Sequence, residues 1–203
     1  MTRTGLERYP PTFCRVPWLD TVKTPFVFNQ ESMTYPNLFP MLPHAARCWI
    51  YVAEQPLTET EQTTLLDDLE TFFGGWASHG RPVHGAATCL DDRFLVVAGT
   101  LMQEGTISGC GIDASVHAVE EAAQRLGLRW ASPLLVFYRD AADTVVSLPR
   151  SAFKKLVADG TVNADTKVFD VSLTTLGQLR NGFEQPAGDS WHARVFRIPK
   201  PVA

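Results

Sequence analysis

The chain has 203 residues, 45% of them hydrophobic, and its 18 basic and 22 acidic residues give a net charge of −4. This length and composition suit one domain with a sizeable core, and the absence of a basic run argues against a nucleic-acid partner. No segment reaches the roughly 20 apolar residues that cross a bilayer, and the N-terminus lacks the apolar region of a signal peptide. We therefore expect a cytoplasmic protein with no nucleic-acid or membrane partner.

Residues 1–43 are predicted to form an N-terminal arm, because half of the 14 prolines fall there and the segment shows neither helical nor strand periodicity. The arm is too rich in aromatic residues for an ordinary solvated tail. We expect it to pack on the body or on a second subunit, so a homo-oligomer formed through the arm is one possible assembly. Its aromatic residues are Tyr9, Phe13, Trp18, Phe26, Phe28, Tyr35 and Phe39.

Residues 44–203 are predicted to form a single α+β domain with a core over 47–139 and a C-terminal extension over 140–203. RCWIYVA reads as the first strand of the core. A helix follows, opened by Thr58 and Glu61 as a capping box, and its apolar stripe runs to Trp76.

The next predicted element is a hairpin, in which two apolar runs flank a turn at Asp91 and Asp92. A second helix follows over roughly 113–127, with Gly127 as its C-terminal stop, and PLLVFYR reads as the last core strand. The order strand, helix, strand, strand, helix, strand predicts a ferredoxin-like split βαβ sandwich, an antiparallel sheet with two helices on one face. The extension adds a strand at 143–149 and a largely helical segment after it.

Four stretches of the chain share their order and spacing with one bacterial family. Together they resemble a set of small proteins, frequent in Bacteroidetes-type genomes, that often carry the label "ABC transporter ATPase"; Gly111 stands where that family more often has a serine. The resemblance implies no activity, since none is established for the family. The stretches are LPHAARCWIYV at 42–52, WASHG at 76–80, SGCGIDASVH at 108–117 and PAGDSWHARVF at 186–196.

The family label conflicts with the residues of this chain. An ABC ATPase needs a G-x-x-x-x-G-K-[S/T] loop to cradle phosphates, and the sequence contains none. ATP hydrolysis by that mechanism is therefore rejected, and no cofactor is expected.

The segment SGCGID places a thiol at the start of the predicted second helix. The helix dipole favours the thiolate of Cys110, and Gly109 and Gly111 allow backbone N–H groups to approach a ligand. Asp113 and His117 share a helix face near this loop. One hypothesis is therefore a thiol-dependent acyl transferase or hydrolase with Cys110 as nucleophile, His117 or His192 as base and Asp113 as its orienting acid.

The same residues also have ordinary structural interpretations. Asp113 suits a helix N-cap, the glycines suit a tight loop, and His117 suits a surface position. Because no complete catalytic motif is present, the leading hypothesis is binding of a small polar or anionic ligand, or of a partner, at a pocket around the loop and helix start of residues 108–117. A structural or interaction module is the third.

The predicted ligand-binding residues come from the last three of these stretches, which we call the first motif (WASHG), the second motif (SGCGIDASVH) and the third motif (PAGDSWHARVF). His79 is expected near the end of the first helix, and His192 and Arg194 share a face if their segment is extended, where Ser190 could help them bind an anion. Cysteine and histidine are zinc-type ligands, but their spacing here is not that of a metal site, so none is predicted. The binding residues are Gly109, Gly111, His79, Ser190, His192 and Arg194.

Overall fold

The computed structural model describes residues 35–199, where helices and antiparallel sheets confirm the predicted α+β class. Positions 1–34 of the predicted arm, and residues 200–203, lie outside the described residues. The elements in chain order are β1 (Arg47–Val52), α1 (Glu59–Phe73), β2 (Ala77–Ser78), β3 (Arg81–Leu90), β4 (Phe94–Leu101), α2 (Gly109–Leu126), β5 (Val136–Arg139), β6 (Val145–Leu148), α3 (Arg150–Ala158), β7 (Lys167–Phe169), α4 (Leu176–Gly182), β8 (Glu184–Pro186) and α5 (Trp191–Phe196).

The first sheet has the order β1-β4-β3-β2, and its neighbouring strands are antiparallel. Strands β1 and β3 therefore run in the same direction with β4 between them, as a split βαβ unit requires. Both long helices, α1 and α2, cover one face of this sheet. The side chains that meet there are Leu65 and Leu69 from α1, Val119 and Ala122 from α2, and Leu95 and Val97 from β4.

The second sheet has the order β6-β5-β7-β8 and packs against the other face of β4. Phe94 and Val96 of β4 contact Phe137 and Phe169 of the second sheet in one hydrophobic cluster. Strand β4 is consequently buried on both faces. This explains why its sequence, FLVVAGTL, is a continuous apolar run rather than an alternating one.

The ferredoxin-like arrangement is not confirmed, because β5 does not join the first sheet. A ferredoxin-like fold requires β5 to pair with the outer edge of β1. In the described residues that edge forms only isolated bridges, one of them between Ala53 and Trp130. Buried side chains on β5 explain its placement: Phe137 faces the cluster shared with β4, while Val136 and Tyr138 face a second cluster with α3. A strand that is apolar on both sides needs cover on both faces, and β5 obtains it between the first sheet and α3.

The first helix begins as predicted but ends earlier. Thr58 and Glu61 form the predicted capping box, whereas the helix ends at Phe73, before two consecutive glycines. Trp76 and His79 are therefore outside it, and the prediction that His79 lies near the helix end is wrong. His79 instead occupies the turn between β2 and β3 with a positive φ of 51°, a conformation for which histidine is among the more tolerant residues.

The second helix begins four residues earlier than predicted. Its N-cap is Ser108, whose hydroxyl accepts a hydrogen bond from the Gly111 N–H at 3.3 Å. The predicted N-cap role of Asp113 is therefore wrong, because Asp113 lies one turn inside the helix. Its C-terminal end agrees with the prediction, since Gly127 adopts the left-handed conformation with φ 68°.

Residues 35–43, the described end of the predicted arm, pack on the body. Leu38 and Leu42 are buried in the main core cluster. The buried guanidinium of Arg180, on α4, donates hydrogen bonds to the carbonyl oxygens of Leu38, Phe39 and Leu42 at 2.8–3.0 Å. No helix in residues 35–199 is long and apolar enough to cross a membrane.

Candidate functional site

The first two sequence motifs meet in space and form a packed joint. The Ser108 N–H donates to Ser78 Oγ at 2.9 Å, and the two serine hydroxyls are also 2.9 Å apart. The indole N–H of Trp76 donates to the Gly111 carbonyl oxygen at 2.8 Å. The polar groups of this loop are thus hydrogen-bonded to other residues of the protein. Folding, rather than ligand binding, explains the joint between the two motifs.

Close packing also accounts for one of the two predicted binding glycines. A Cβ atom on Gly111 would lie 2.8 Å from Ile107 Cγ2 and 3.1 Å from Ser78 Cβ, which leaves no room for a side chain. Gly109, two residues earlier, has nothing within 4 Å of its Cβ position. Gly111 is therefore needed for the contact between the two motifs.

The three predicted catalytic residues lie on the exposed face of α2. Cys110, Asp113 and His117 are spaced by three and four residues, which places them along one helix face. Seven residues of helix rise about 10 Å, and among the described residues no hydrogen bond joins Cys110 to either partner. The structure brings the three onto one surface without connecting them, and the thiol-enzyme hypothesis stays a prediction.

The third motif belongs to a different part of the core. Its helix α5 packs in a cluster with α3 and the second sheet, while Trp76 and Ile107 belong to a cluster beside the first sheet. Ser190 and His192 are buried there, whereas Arg194 is exposed. The structure thus brings the first and second motifs into contact, whereas the third motif packs in a different hydrophobic cluster.

The segment SWHARVF is a short helix rather than an extended strand. Ser190 is its N-cap and accepts a hydrogen bond from the His192 N–H at 3.2 Å. Burial of Phe196 and His192 on the same side of the helix then turns Arg194 outward. The predicted shared face of His192 and Arg194, which depended on an extended segment, is therefore absent.

His192 lies at the centre of a stack of flat side chains. The Trp191 and His192 ring centroids are 3.7 Å apart with planes 22° from parallel, and Phe196 stacks with the imidazole at 6.1 Å. The Arg150 guanidinium, from the first residue of α3, lies 5.8 Å from the Trp191 ring centre. We call Arg150, Ser190, Trp191 and His192 together the α5 site.

Two ring nitrogens of the α5 site are buried without a hydrogen-bond partner. In residues 35–199, three buried side-chain nitrogen or oxygen atoms have this property, and the two that belong here are Trp191 Nε1 and His192 Nε2. The other imidazole nitrogen, Nδ1, is 3.0 Å from Ser190 Oγ. Since more than nine in ten buried polar groups in folded proteins are paired, two exceptions on stacked rings call for a physical explanation.

Burial keeps the His192 ring neutral. Burial lowers the pKa of His192 to about 4, and the positive charge of Arg150 acts in the same direction. The carboxylate of Asp170 opposes this change without reversing it. His192 is therefore an uncharged ring at neutral pH, with one nitrogen available as a donor or acceptor.

A second polar cluster, around Arg139, is fully connected and serves as an internal clamp. Arg139 forms a bidentate pair with Glu184 at 2.8 and 3.0 Å and contacts Asp91 at 2.8 Å, while the Tyr35 hydroxyl donates to Glu184 at 2.5 Å. Burial opposes ionisation of Glu184, but the bonds from Arg139 and Tyr35 prevail and hold its pKa below the ordinary value. The cluster ties the β3–β4 turn to the second sheet.

Comparisons with known proteins identify no activity for this chain. Neither a protein-family model, nor a curated protein, nor a solved structure matches this chain, so the resemblance drawn from the motifs stays a prediction. Within the described range, no group of three or more histidine, cysteine, aspartate or glutamate side chains is placed to hold a metal ion.

Sequence reasoning found part of the α5 site and missed the rest. Ser190 and His192 were predicted to bind a ligand, but Trp191 and Arg150 were not. The tryptophan next to a histidine was a local signal that could have been used. Arg150 lies about 40 residues earlier in the chain, and only the packing of α3 on α5 reveals its contact with Trp191.

Proposed function

We propose that this protein binds a small polar ligand at the α5 site. The observation that carries the proposal is that the stacked rings of Trp191 and His192 each have a buried nitrogen without a hydrogen-bond partner. Leaving a buried donor or acceptor unsatisfied costs about 1–3 kcal/mol. A ligand that pairs with both nitrogens recovers that free energy and thereby gains affinity.

Trp191 provides the route of entry. Its ring is half-buried and stacks on the fully buried His192, so the two nitrogens are enclosed while the tryptophan is in place. We propose that the ligand enters during a transient outward movement of Trp191, which returns to the stack once the ligand is bound. The movement breaks one ring stack and one cation–π contact, each worth about 1 kcal/mol, so the barrier to entry is small.

Native mass spectrometry of the purified protein, followed by a screen of small polar compounds, tests the proposal. Binding is read from the ¹H–¹⁵N NMR signal of the Trp191 indole. We expect at least one compound to shift that signal in a saturable way. His192→Phe keeps a flat ring but removes the nitrogens, and it should abolish the response.

The matched control is His84→Phe, which changes an exposed histidine on β3 and should leave binding intact. Ordered water is the competing occupant of the site. If no retained compound is detected and none of the screened compounds shifts the Trp191 signal, water satisfies the two nitrogens and the binding proposal is rejected.

A further inference from the structure

In residues 35–199 the two sheets lie between two layers of helices. On β4, Leu95 and Val97 pack with α1 and α2, whereas Phe94 packs with the second sheet. On β5, Phe137 packs towards the first sheet and Tyr138 packs with α3 and α5. The layers therefore follow the order α1 and α2, first sheet, second sheet, α3 and α5. The two helical layers lie on opposite sides of this part of the chain.

The layer formed by α1 and α2 carries a strong negative charge. Helix α1 contains five carboxylates and no lysine or arginine, and α2 contains three carboxylates and one arginine. That arginine, Arg125, pairs with Asp68 at 2.8 Å and not with any of the exposed carboxylates. Six of the eight carboxylates are exposed, and we call them the acidic face: Glu59, Asp67, Glu70, Asp113, Glu120 and Glu121.

The opposite layer, formed by α3 and α5, carries a positive charge. These two helices contain four lysine or arginine residues and no carboxylate, and Arg197 follows α5 directly. In the part of the chain that the structure describes, none of these five cations forms a salt bridge. All five are exposed, and we call them the basic face: Arg150, Lys154, Lys155, Arg194 and Arg197.

Contact between α3 and α5 makes the basic face one continuous surface. The Arg150 guanidinium lies 5.8 Å from the Trp191 ring centre. Lys154 lies one turn after Arg150, and Arg194 lies one turn after Trp191, so these cations lie beside the point of contact. The cations outnumber the exposed carboxylates that border them, so the face has a positive net charge although the whole chain carries −4. The bordering carboxylates are Asp159, Asp165 and Asp189.

The two faces are too far apart to neutralise each other within one molecule. A helix is about 10 Å in diameter and packed sheets lie about 10 Å apart, so the axes of the two helical layers are about 30 Å apart. Salt screens exposed charges beyond about 8 Å at physiological ionic strength. Each face is therefore available to a charged surface of another molecule.

We infer that the basic face of one copy of this chain binds the acidic face of a second copy. Charge complementarity carries the inference, because a second copy presents the surface of opposite sign that each face needs. The contact joins two different surfaces, so each added copy leaves one acidic and one basic face unoccupied, and the chain associates head to tail. This inference is independent of the proposed ligand, and the contact differs from an oligomer formed through the N-terminal arm.

The association should be weak and should depend on salt, because exposed ion pairs contribute little individually and are screened by ions. Sedimentation velocity of the full chain provides the measurement, at about 10 mM and about 300 mM salt, where the Debye lengths are about 30 Å and about 6 Å. We expect the average sedimentation coefficient to rise with protein concentration at low salt and to stay constant at high salt. A monomer at every concentration in low salt would overturn the inference.

Zero-length cross-linking identifies the surfaces that meet. A carbodiimide joins a lysine amine to a carboxylate only when the two groups are in contact, and Lys154 cannot reach Asp67 or Glu70 within one molecule. Cross-links from Lys154 or Lys155 to the acidic face at low salt must therefore connect two copies, and we expect to find them. Association without such cross-links would show that other surfaces meet, which would also overturn the inference.

Lys154→Glu should weaken the association about tenfold or more, since it places a carboxylate opposite the acidic face. The matched control is Arg129→Glu, which makes the same change in net charge at an exposed position outside both faces. It should leave the association close to that of the original chain. Thermal unfolding of each variant checks that the fold is retained.

A second variant tests the other side of the contact. Asp67→Lys should weaken the association as Lys154→Glu does, because it places an amine opposite the basic face. An equimolar mixture of the two variants should associate again, since each supplies the intact face that the other lacks. Equal effects of Lys154→Glu and Arg129→Glu would show that net charge, and not the basic face, governs the association, and the inference would be wrong.

Discussion

Gly109 and Gly111 lie in the same first turn of α2, but only one of them is required by its surroundings. Open space surrounds the Cβ position of Gly109, whereas Gly111 packs against Ile107 and Ser78. The sequence pattern SGCG suggested that both glycines serve a ligand. The structure shows that at least Gly111 is explained by the joint between the two motif segments.

Replacing each glycine by alanine separates these situations. We expect Gly111→Ala to lower the free energy of unfolding by about 1–3 kcal/mol, because the methyl group forces the side chains of Ile107 and Ser78 to shift. Gly109→Ala should be neutral or stabilising by up to about 1 kcal/mol, since alanine favours the helix. Urea unfolding measures both variants, and equal destabilisation would show that the joint is not tightly packed.

His192 should make the stability of the protein depend on pH in a defined window. Burial lowers its pKa to about 4, whereas a histidine in an unfolded chain titrates near 6.5. Between these values the unfolded chain binds a proton that the folded protein does not. The free energy of unfolding is therefore highest above pH 6.5 and falls by about 3 kcal/mol as the pH drops to about 4.

Urea unfolding between pH 7 and pH 4.5 measures this loss before most carboxylates titrate. His192→Phe should flatten the dependence in that window. His84→Phe, at an exposed position, should leave it as in the original chain. Parallel curves for all three proteins would mean that His192 is protonated as readily in the folded state as in the unfolded chain.

At the scale of elements, the sequence predicts features that depend on neighbouring residues, but it does not predict which distant strands pair. The capping box at Thr58 and the turn at Asp91 and Asp92 depend on neighbouring residues, and the structure contains both; the two aspartates have φ values of 49° and 52°. The sheet that β5 joins depends on residues 30 positions further along, in β7. The continuous apolar run of β4 was the one local indication that a second layer covers the first sheet.

The same difference between local and distant contacts applies to the α5 site. Ser190 and His192 could be proposed from one short motif, and their contact is local. The sequence predicts too late an end for α1, because the apolar residues keep helical spacing across the two glycines that end the helix: Leu65, Leu69, Phe72 and Trp76. Hydrophobic periodicity does not reveal where this helix ends, because Trp76 lies beyond the glycines and is buried in a different cluster from Leu65 and Leu69.

The Arg139–Glu184 pair should contribute far more to stability than an exposed pair. The side chains of Arg139 and Glu184 are only 15% and 14% exposed, compared with 79% and 41% for Arg129 and Glu54. Glu184→Gln leaves a half-compensated guanidinium in the interior, and we expect a loss of about 2 kcal/mol. Glu54→Gln should cost less than about 1 kcal/mol.

Urea unfolding of the two variants at low and high salt provides the measurement. Salt should change the Glu54→Gln difference more than the Glu184→Gln difference in relative terms, since exposed charges are screened more strongly. Similar losses for both substitutions would show that the connection between the β3–β4 turn and the second sheet does not depend on this charge pair.

At the scale of the whole molecule, one hydrophobic cluster within residues 35–199 joins the two sheets. Phe94 of the first sheet contacts Phe137, Phe169 and Phe183, with ring centroids 4.7–6.2 Å apart. Three of these four rings come from beyond the first sheet and its helices. Neither sheet can keep its apolar face buried without the other, so we expect them to unfold together.

Phe94→Ala tests this expectation, because it removes a fully buried ring from the contact between the sheets. We expect it to lower the free energy of unfolding by about 4 kcal/mol while the two sheets still unfold in one transition. Phe72→Ala, at a half-buried position beside Trp76, should cost clearly less. With ¹⁹F-labelled tryptophan, NMR signals from Trp76 and Trp191 report on the two sides of the molecule during urea unfolding. If the Phe94→Ala variant loses the Trp76 signal at lower urea than the Trp191 signal, the sheets are separate cooperative units.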